Sequence, residues 1–323
     1  MSAPILGLHH VTAIAGEPQT NVDFYTGVLG LRLIKRTVNF DDPKTYHLYY
    51  GDGVGTPGTI LTFFPWPGVR RGVIGTGQTF TTAFAVPEQS IGFWRQHLEA
   101  SLVRAHEIER FGVPGLAFAD PDGLRLELVA SRPENDGRKP WGGSAVPLEH
   151  AIHGFDGVTL LHADSSATER LLEGAMGFRK VAEDDRRVRY ESGDGGSGTL
   201  VDLLRDPGAG TGRVAGGSVH HVAFRVADDR AETQWQERLS SAGHPTTEVK
   251  DRMYFHSIYF REPGGVLFEL ATDTPGFAID ESFDELGTGL RLPPWLESAR
   301  DRIEEALPPI ERPEHRKSSG EAA

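Results

Sequence analysis

Val219-His220-His221-Val222-Ala223-Phe224 and, near the far end of the same segment, Gly264-Gly265-Val266-Leu267-Phe268-Glu269-Leu270 are the stretches on which the reading of this chain turns. Each is a short apolar run carrying one polar residue that a core would not otherwise tolerate. In strand alternation His221 lies on the face opposite Val222, Phe224 and Val226, and Glu269 on the face opposite Val266, Phe268 and Leu270. Both therefore point away from the layer that the apolar residues pack against. An uncompensated carboxylate among buried strands costs on the order of several kcal/mol, so Glu269 needs a cation or a set of donors. The His-His-Val pattern recurs once, at His9-His10-Val11-Thr12.

The rest of the composition narrows the chemistry. With 323 residues, the chain is long enough for two domains, and 38% hydrophobic with 24% charged residues suits ordinary cores. The charge balance, 33 − 46 = −13, and the lack of a basic stripe argue against a nucleic-acid or anionic-membrane surface. There is no cysteine, which excludes disulfides, thiolate metal sites and cysteine nucleophiles. Any metal must be held by nitrogen and oxygen. The N-terminal Met1-Ser2-Ala3-Pro4-Ile5 has no charged region leading into a long apolar run, and no stretch approaches the roughly 20 apolar residues of a membrane span. A cytoplasmic location is the default, and a homo-oligomer is compatible with it.

Working outward from the quoted segment, the chain reads as one unit repeated four times. In the first, a strand over residues 9–15 leads to a helix with Thr20 as N-cap, an apolar face of Val22, Phe24, Tyr25, Val28 and Leu29, and Gly30 as stop. Strands over 31–38, 46–51 and 59–64 follow. The second unit opens at residues 80–86, continues with a helix over 89–100 and closes with a strand over 124–129. The third opens at 157–161 and has a helix through Leu171, Leu172 and Met176 that stops at Gly177. The fourth opens at His220, with Ala231, Trp235, Leu239 and Ala242 on one helix face and Gly243 as stop. His10 precedes Gly30 by 20 residues and Gly157 precedes Gly177 by 20, which supports true repetition. The strand endings of units two and four also match, with Glu127 at the place of Glu269. Residues 131–147, rich in Pro, Gly and charge, read as the linker. Beyond Asp273, residues 294–307 read as one amphipathic helix and 312–323 as a disordered tail.

A βαβββ unit used four times, with His at the start of one unit and Glu at the end of another, resembles the vicinal oxygen chelate superfamily of glyoxalases, bleomycin-resistance proteins and extradiol dioxygenases. Within it the chain is similar to the hydroquinone-type ring-cleaving dioxygenases, chiefly through Gly7-Leu8-His9-His10-Val11-Thr12, Tyr46-His47-Leu48-Tyr49-Tyr50-Gly51-Asp52, His220-His221-Val222 and residues 252–269. The expected fold is α+β, with the four modules paired into two tandem glyoxalase-like domains of cup-shaped mixed sheets. The corresponding division is 1–135 (modules one and two), a linker at 136–150, 151–280 (modules three and four), and a C-terminal helix and tail at 281–323.

The resemblance implies Fe(II), or Mn(II), bound by His10, His221 and Glu269, the three positions that the strand pattern singles out. A face of two His and one carboxylate leaves adjacent positions open for a phenolate oxygen and O2. The equivalent positions in units two and three are Thr81, Gly157 and Glu127, so one metal per chain is expected and Glu127 is a hydrogen-bonded or partly solvated remnant. Because His10 belongs to unit one and His221 and Glu269 to unit four, those two units must face each other. The resemblance further places His9, Thr12, His220, Arg252 and Tyr259 around metal and substrate, with Arg252 and Tyr259 stabilising charge and a histidine moving protons. His47 and Tyr49 read as packing residues, and the remaining histidines show no paired context. The implied activity is oxidative cleavage of a hydroquinone or related phenol, with a small aromatic substrate and O2 as partners. Two other readings stand beside it: a metal-free binder of aromatic drugs, and a metal-dependent isomerase or lyase of the glyoxalase type. The latter uses a fourth protein ligand near the end of unit one, where this chain has Thr62, Phe63 and Phe64.

Overall fold

The computed structural model describes residues 3–131 and 137–311. Module one contains strand β1 (Leu8–Ala15), helix α1 (Pro18–Val22) with a π-helical extension (Asp23–Val28), and strands β2 (Arg32–Asn39), β3 (Asp42–Gly51) and β4 (Ile60–Pro65). Module two repeats the order with β5 (Gln78–Pro87), α2 (Ile91–Ala100), β6 (His106–Arg110), β7 (Val113–Ala119) and β8 (Arg125–Ser131). Module three has β9 (Gly154–His162), α3 (Ser166–Arg170) with a π-helical extension (Leu171–Ala175), β10 (Arg179–Glu183), β11 (Arg187–Glu191) and β12 (Leu200–Arg205). Module four has β13 (Ser218–Val226), α4 (Asp229–Ser241), β14 (Lys250–Asp251), β15 (Phe255–Arg261) and β16 (Leu267–Pro275).

The strands form two eight-stranded curled sheets, ordered β14-β15-β16-β13-β1-β4-β3-β2 and β10-β11-β12-β9-β5-β8-β7-β6. Module four thus joins module one, as the placement of the three expected ligands required, and module two joins module three. Each sheet takes one module from each half of the chain. The seams are antiparallel, β1 against β13 and β5 against β9, and they share one register: Thr12 faces His221 as Thr159 faces Thr81, and His10 faces Ala223 as Gly157 faces Ala83. Glu269 and Glu127 likewise stand beside Ala223 and Ala83 on parallel neighbours. The equivalences read from the repeat are therefore those of the backbone.

Local chemistry explains the shared turns. The helices of modules one and three both widen into a π turn, closed by Leu29 N–H to the Phe24 carbonyl at 3.1 Å and Met176 N–H to the Leu171 carbonyl at 2.9 Å. Each is followed by a left-handed glycine, Gly30 at φ 69° and Gly177 at φ 72°, which reverses the chain into the next strand. The first helix begins at Pro18, not after Thr20: proline at the first helical position has no N–H to leave unpaired. Module four's helix is capped by Asp228, whose carboxylate accepts the Ala231 N–H at 2.8 Å, and it buries Ala231, Trp235 and Leu239.

The C-terminal segment is shorter in helix than its apolar pattern indicates. A single amphipathic helix over 294–307 is replaced by a 3-10 turn (Glu297–Ala299) and helix α5 (Arg300–Ala306). The tail over 312–323 lies outside the described residues. Between Phe277 and Leu292 the chain straps across module one, anchored by the fully buried Lys35, whose Nζ donates to Asp280 Oδ1 at 2.6 Å, Glu281 Oε2 at 2.5 Å and the Phe277 carbonyl at 3.1 Å. A buried ammonium is tolerated because each of its donors has a charged or carbonyl acceptor. The strap lays Phe277 against Tyr254 and Tyr49, with ring centroids 5.0 and 5.2 Å apart, beneath the concave face of the first sheet. No described helix is long and apolar enough to cross a membrane.

Because both seams join the two halves, fragments 1–140 and 148–323 should each leave an unpaired β1, β5, β9 or β13 edge. We expect either fragment alone to be aggregation-prone and the two to be recovered as a complex when co-expressed. A soluble, monomeric C-terminal fragment with the far-ultraviolet and near-ultraviolet circular dichroism of a packed domain would contradict this.

Candidate metal centre and substrate cavity

The first sheet brings His10, His221 and Glu269 together, all buried, with their ligand atoms converging. His10 Nε2 and His221 Nε2 are 3.2 Å apart, and Glu269 Oε2 lies 3.2 Å from the first and 2.9 Å from the second. Metal–donor bonds of about 2.0–2.1 Å put neighbouring donors about 3.0–3.3 Å apart, so three donors at these spacings could hold one ion.

The protons around the cluster point the same way. His9 Nε2 is 3.1 Å from the Thr272 carbonyl, which can only accept, so this nitrogen carries the hydrogen. In the neutral ring His9 Nδ1 must then accept, and its partner, 2.9 Å away, is His10 Nδ1. His10 therefore donates from Nδ1 and turns the lone pair of Nε2 to the cluster. The same contact recurs at His220 Nδ1 and His221 Nδ1, 2.8 Å apart. Glu269 Oε1 accepts from Ser257 Oγ, while Oε2, wholly buried, has no aligned hydrogen-bond donor. With His221 in the matching tautomer, lone pairs of two nitrogens and an oxygen meet at one buried point, an arrangement that a bound cation satisfies. Burial lowers His9 and His221, keeping the rings neutral.

Above the cluster opens a cavity of ≈ 350 Å³. Of the expected surrounding residues, His220, Arg252 and Tyr259 line it. Arg252 Nε donates to the Tyr259 hydroxyl at 3.2 Å and Nη1 to Asp41 Oδ2 at 3.0 Å, so the guanidinium is fixed between the module-four strand and the β2–β3 turn. Burial raises the Tyr259 hydroxyl well above its ordinary value, and it stays protonated beside Glu269. His220 sits at the rim; desolvation by the cavity wall and the neighbouring His221 lower it to about 4.

His9 and Thr12 do not line the cavity. His9 stands behind His10 and orients it, and Thr12 is fully buried with its hydroxyl 2.8 Å from Thr62 Oγ1. Conversely, His47 and Tyr49 are more than packing residues, for both form cavity wall. Their signal was available: a polar pair at alternate positions of a strand whose neighbour, residues 60–65, is otherwise apolar. Thr62, at the position where a fourth ligand would stand, is engaged by His47 and Thr12. Glu127 is the hydrogen-bonded remnant expected, paired with Arg110 Nη2 at 2.7 Å.

This fold and site define a member of the Glyoxalase/Bleomycin resistance protein/Dioxygenase superfamily, whose family pattern matches residues 7–128 and 84–270, and the chain belongs to it. Among relatives, it is 49% identical over 311 residues to the Bacillus subtilis protein named "Putative ring-cleaving dioxygenase MhqO", covering 96% of this chain and 98% of that one. It is 36% identical over 308 residues to the chlorohydroquinone/hydroquinone 1,2-dioxygenase of Sphingobium indicum, covering 92% and 94% of the two chains. A crystal structure of a Bacillus subtilis protein described as a "putative dioxygenase" superposes with a TM-score of 0.91 at 48% identity, over 96% of this chain and 98% of that one. Maize glyoxalase I shares the fold, with a TM-score of 0.62 at 17% identity over 83% and 92%.

Glu269→Gln should abolish metal retention, since it exchanges the one anionic donor for a neutral amide. Glu127→Gln should retain the metal and lose only the Arg110 ion pair. Metal analysis of the two purified variants checks this, and equal loss from both would overturn the assignment of the cluster.

Proposed function

We propose that this chain is an Fe(II)-dependent ring-cleaving dioxygenase that acts on a hydroquinone or related substituted phenol and inserts both atoms of O2. The observation that carries the reading is the buried convergence of His10, His221 and Glu269 beneath an open aromatic-lined cavity. The two-nitrogen, one-oxygen donor set suits Fe(II) or Mn(II). When bound, the ion supplies a Lewis-acidic, redox-active centre with positions free for a phenolate oxygen and O2.

The chain's own residues bind, orient and handle charge. His9 and His220 hold the two ligand rings through Nδ1, and Ser257 holds the outer oxygen of Glu269. The Arg252 guanidinium lies at the cavity wall, where it stabilises negative charge on a bound phenolate or reacting oxygen. Tyr259, protonated and bonded to Arg252, offers a neutral donor beside it. His220 is the one histidine of the group exposed at the rim, so its Nε2, unengaged by His221, carries a proton between cavity and solvent. Phe64, Phe255 and Leu267 bracket an aromatic ring and exclude water from it.

Two features favour this over the other readings. A metal-free drug binder has no need of three inward lone pairs. A glyoxalase-type isomerase needs a fourth ligand, and Thr62 is a hydroxyl already held by its neighbours. The supporting relatives are named as dioxygenases. The test is anaerobic reconstitution with Fe(II) and then oxygen uptake over hydroquinones and catechols. One O2 consumed per hydroquinone with a ring-opened product is expected, and turnover without O2 consumption would refute the reading. Arg252→Ala should keep its metal and lose about 10²–10³ in turnover; near wild-type uptake at full metal occupancy would remove Arg252 from the chemistry.

A further inference from the structure

The β3 wall of the cavity carries two polar side chains that the metal cluster does not use. Strand register places Tyr49 opposite Thr62, Thr62 opposite Thr12 and Thr12 opposite His221, one row crossing four strands. At about 4.8 Å per strand, the backbones at the two ends of that row stand about 14 Å apart. The concave face between them is the cavity.

Along this row the side chains form a continuous hydrogen-bonded series. The Tyr49 hydroxyl is 2.8 Å from His47 Nδ1, His47 Nε2 is 2.8 Å from Thr62 Oγ1, and Thr62 Oγ1 is 2.8 Å from Thr12 Oγ1. Burial keeps His47 neutral, and a neutral imidazole with a partner at each nitrogen donates at one and accepts at the other. The row therefore has two proton arrangements. In one, Tyr49 O–H donates to Nδ1 and Nε2–H donates to Thr62, so the Tyr49 oxygen accepts from a protonated ligand oxygen. In the other, Thr62 O–H donates to Nε2 and Nδ1–H donates to Tyr49, whose own O–H then donates to an ionised ligand oxygen. Tyr49, His47, Thr62 and Thr12 are neutral in both arrangements, so the row can meet a ligand oxygen in either protonation state.

Tyr49 cannot swing away from this role. Its ring is fully buried against Phe277 and Tyr254, and among the described residues its hydroxyl has no hydrogen-bond partner other than His47. Of the cavity's other polar groups, Arg252 is engaged by Tyr259 and Asp41, Tyr259 is engaged by Arg252, and His220 stands at the rim on the cluster side. The cavity thus has a polar end at the metal cluster, a polar end at Tyr49 and apolar lining between. A flat ring with an oxygen at each end matches it; a catechol has both oxygens at one end, and a monophenol has only one.

We propose that the Tyr49 hydroxyl is the specificity-determining contact for the substrate oxygen para to the one held at the metal cluster, with His47 as its positioning residue. The inference rests on the reading of the cavity as an aromatic-substrate site, but what it specifies is a property of binding alone. A site built to hydrogen-bond a hydroxyl discriminates strongly against an analogue lacking it.

The experiment is anaerobic titration of the Fe(II)-loaded full chain with hydroquinone, phenol and catechol, for wild type, Tyr49→Phe and Thr62→Val. Wild type should bind hydroquinone about 10–100-fold more tightly than phenol. Tyr49→Phe, which removes one oxygen and keeps the ring in its packing, should bring that ratio close to one. Thr62→Val leaves the Tyr49 hydroxyl but takes away the group that fixes His47, and should lower the ratio in the same direction. A wild type with no preference for hydroquinone, or a ratio unchanged in both variants, overturns the proposal. Oxygen uptake is read separately: a binding preference lost in Tyr49→Phe in a protein that consumes no O2 would refute ring cleavage and leave the Tyr49 assignment standing.

Discussion

The antiparallel seam between β1 and β13 is the constraint on which the candidate site depends. It joins strands about 210 residues apart in the chain, and by setting Thr12 against His221 and His10 against Ala223 it puts two histidines of different modules two residues out of step on one concave face. Glu269 enters from the parallel neighbour β16, beside Ala223. A small residue at that crossing leaves the space above it clear for all three ligand atoms.

Holding three acceptors at one buried point opposes the ordinary rule that buried polar atoms find donors. The sequence meets this with doubled histidines: the outer member of each pair contacts the Nδ1 of the inner one, and for His9 the Thr272 carbonyl leaves a single consistent tautomer. The arrangement costs stability unless a cation occupies it, so a cation bound there would be coupled to the packing of modules one and four. The Lys35 strap adds to this from below, since it holds Phe277, Tyr254 and Tyr49 as the floor on which the cavity walls stand.

Much of this was legible in the residues. The repeat arithmetic, the glycine stops and the strand alternation of His221 and Glu269 recovered the modules, their pairing across the halves and the convergence of three candidate ligand side chains. What remained hidden has physical reasons. Strands β6 and β7 are short, one is exposed on both faces and the other carries Pro114 and Gly115, so no clean alternation marks them. The apolar residues after Pro294 imitate a helical stripe because a turn and a short helix pack against the same surface. His47 and Tyr49 looked like packing because alternation tells which face a side chain takes, and says nothing about whether that face is filled or hollow. His9 and Thr12 differ in the opposite sense: His9 stands behind His10, and Thr12, on the concave face, has its hydroxyl taken up by Thr62.

The second sheet shows how little separates a metal cup from a solid one. Glu127 and Arg110 precede Glu269 and Arg252 by the same 142 residues, and the strand registers make both pairs equivalent. In the second cup the two histidine positions are Gly157 and Thr81, so the carboxylate has no ring nitrogens to face, and Arg110 turns inward to pair with Glu127. Across from it Arg187 and Arg189 close on Asp202, at the position of Thr62, and the remaining void is only ≈ 10 Å³. In the first cup Arg252 is drawn outward by Asp41 and Tyr259, a pair made available by the β2–β3 turn and by a tyrosine where the second cup has Ala117. The guanidinium that would otherwise neutralise Glu269 is held at the cavity wall. Asp41 and Tyr259 thus keep the arginine off the Glu269 carboxylate and leave that carboxylate facing His10 and His221.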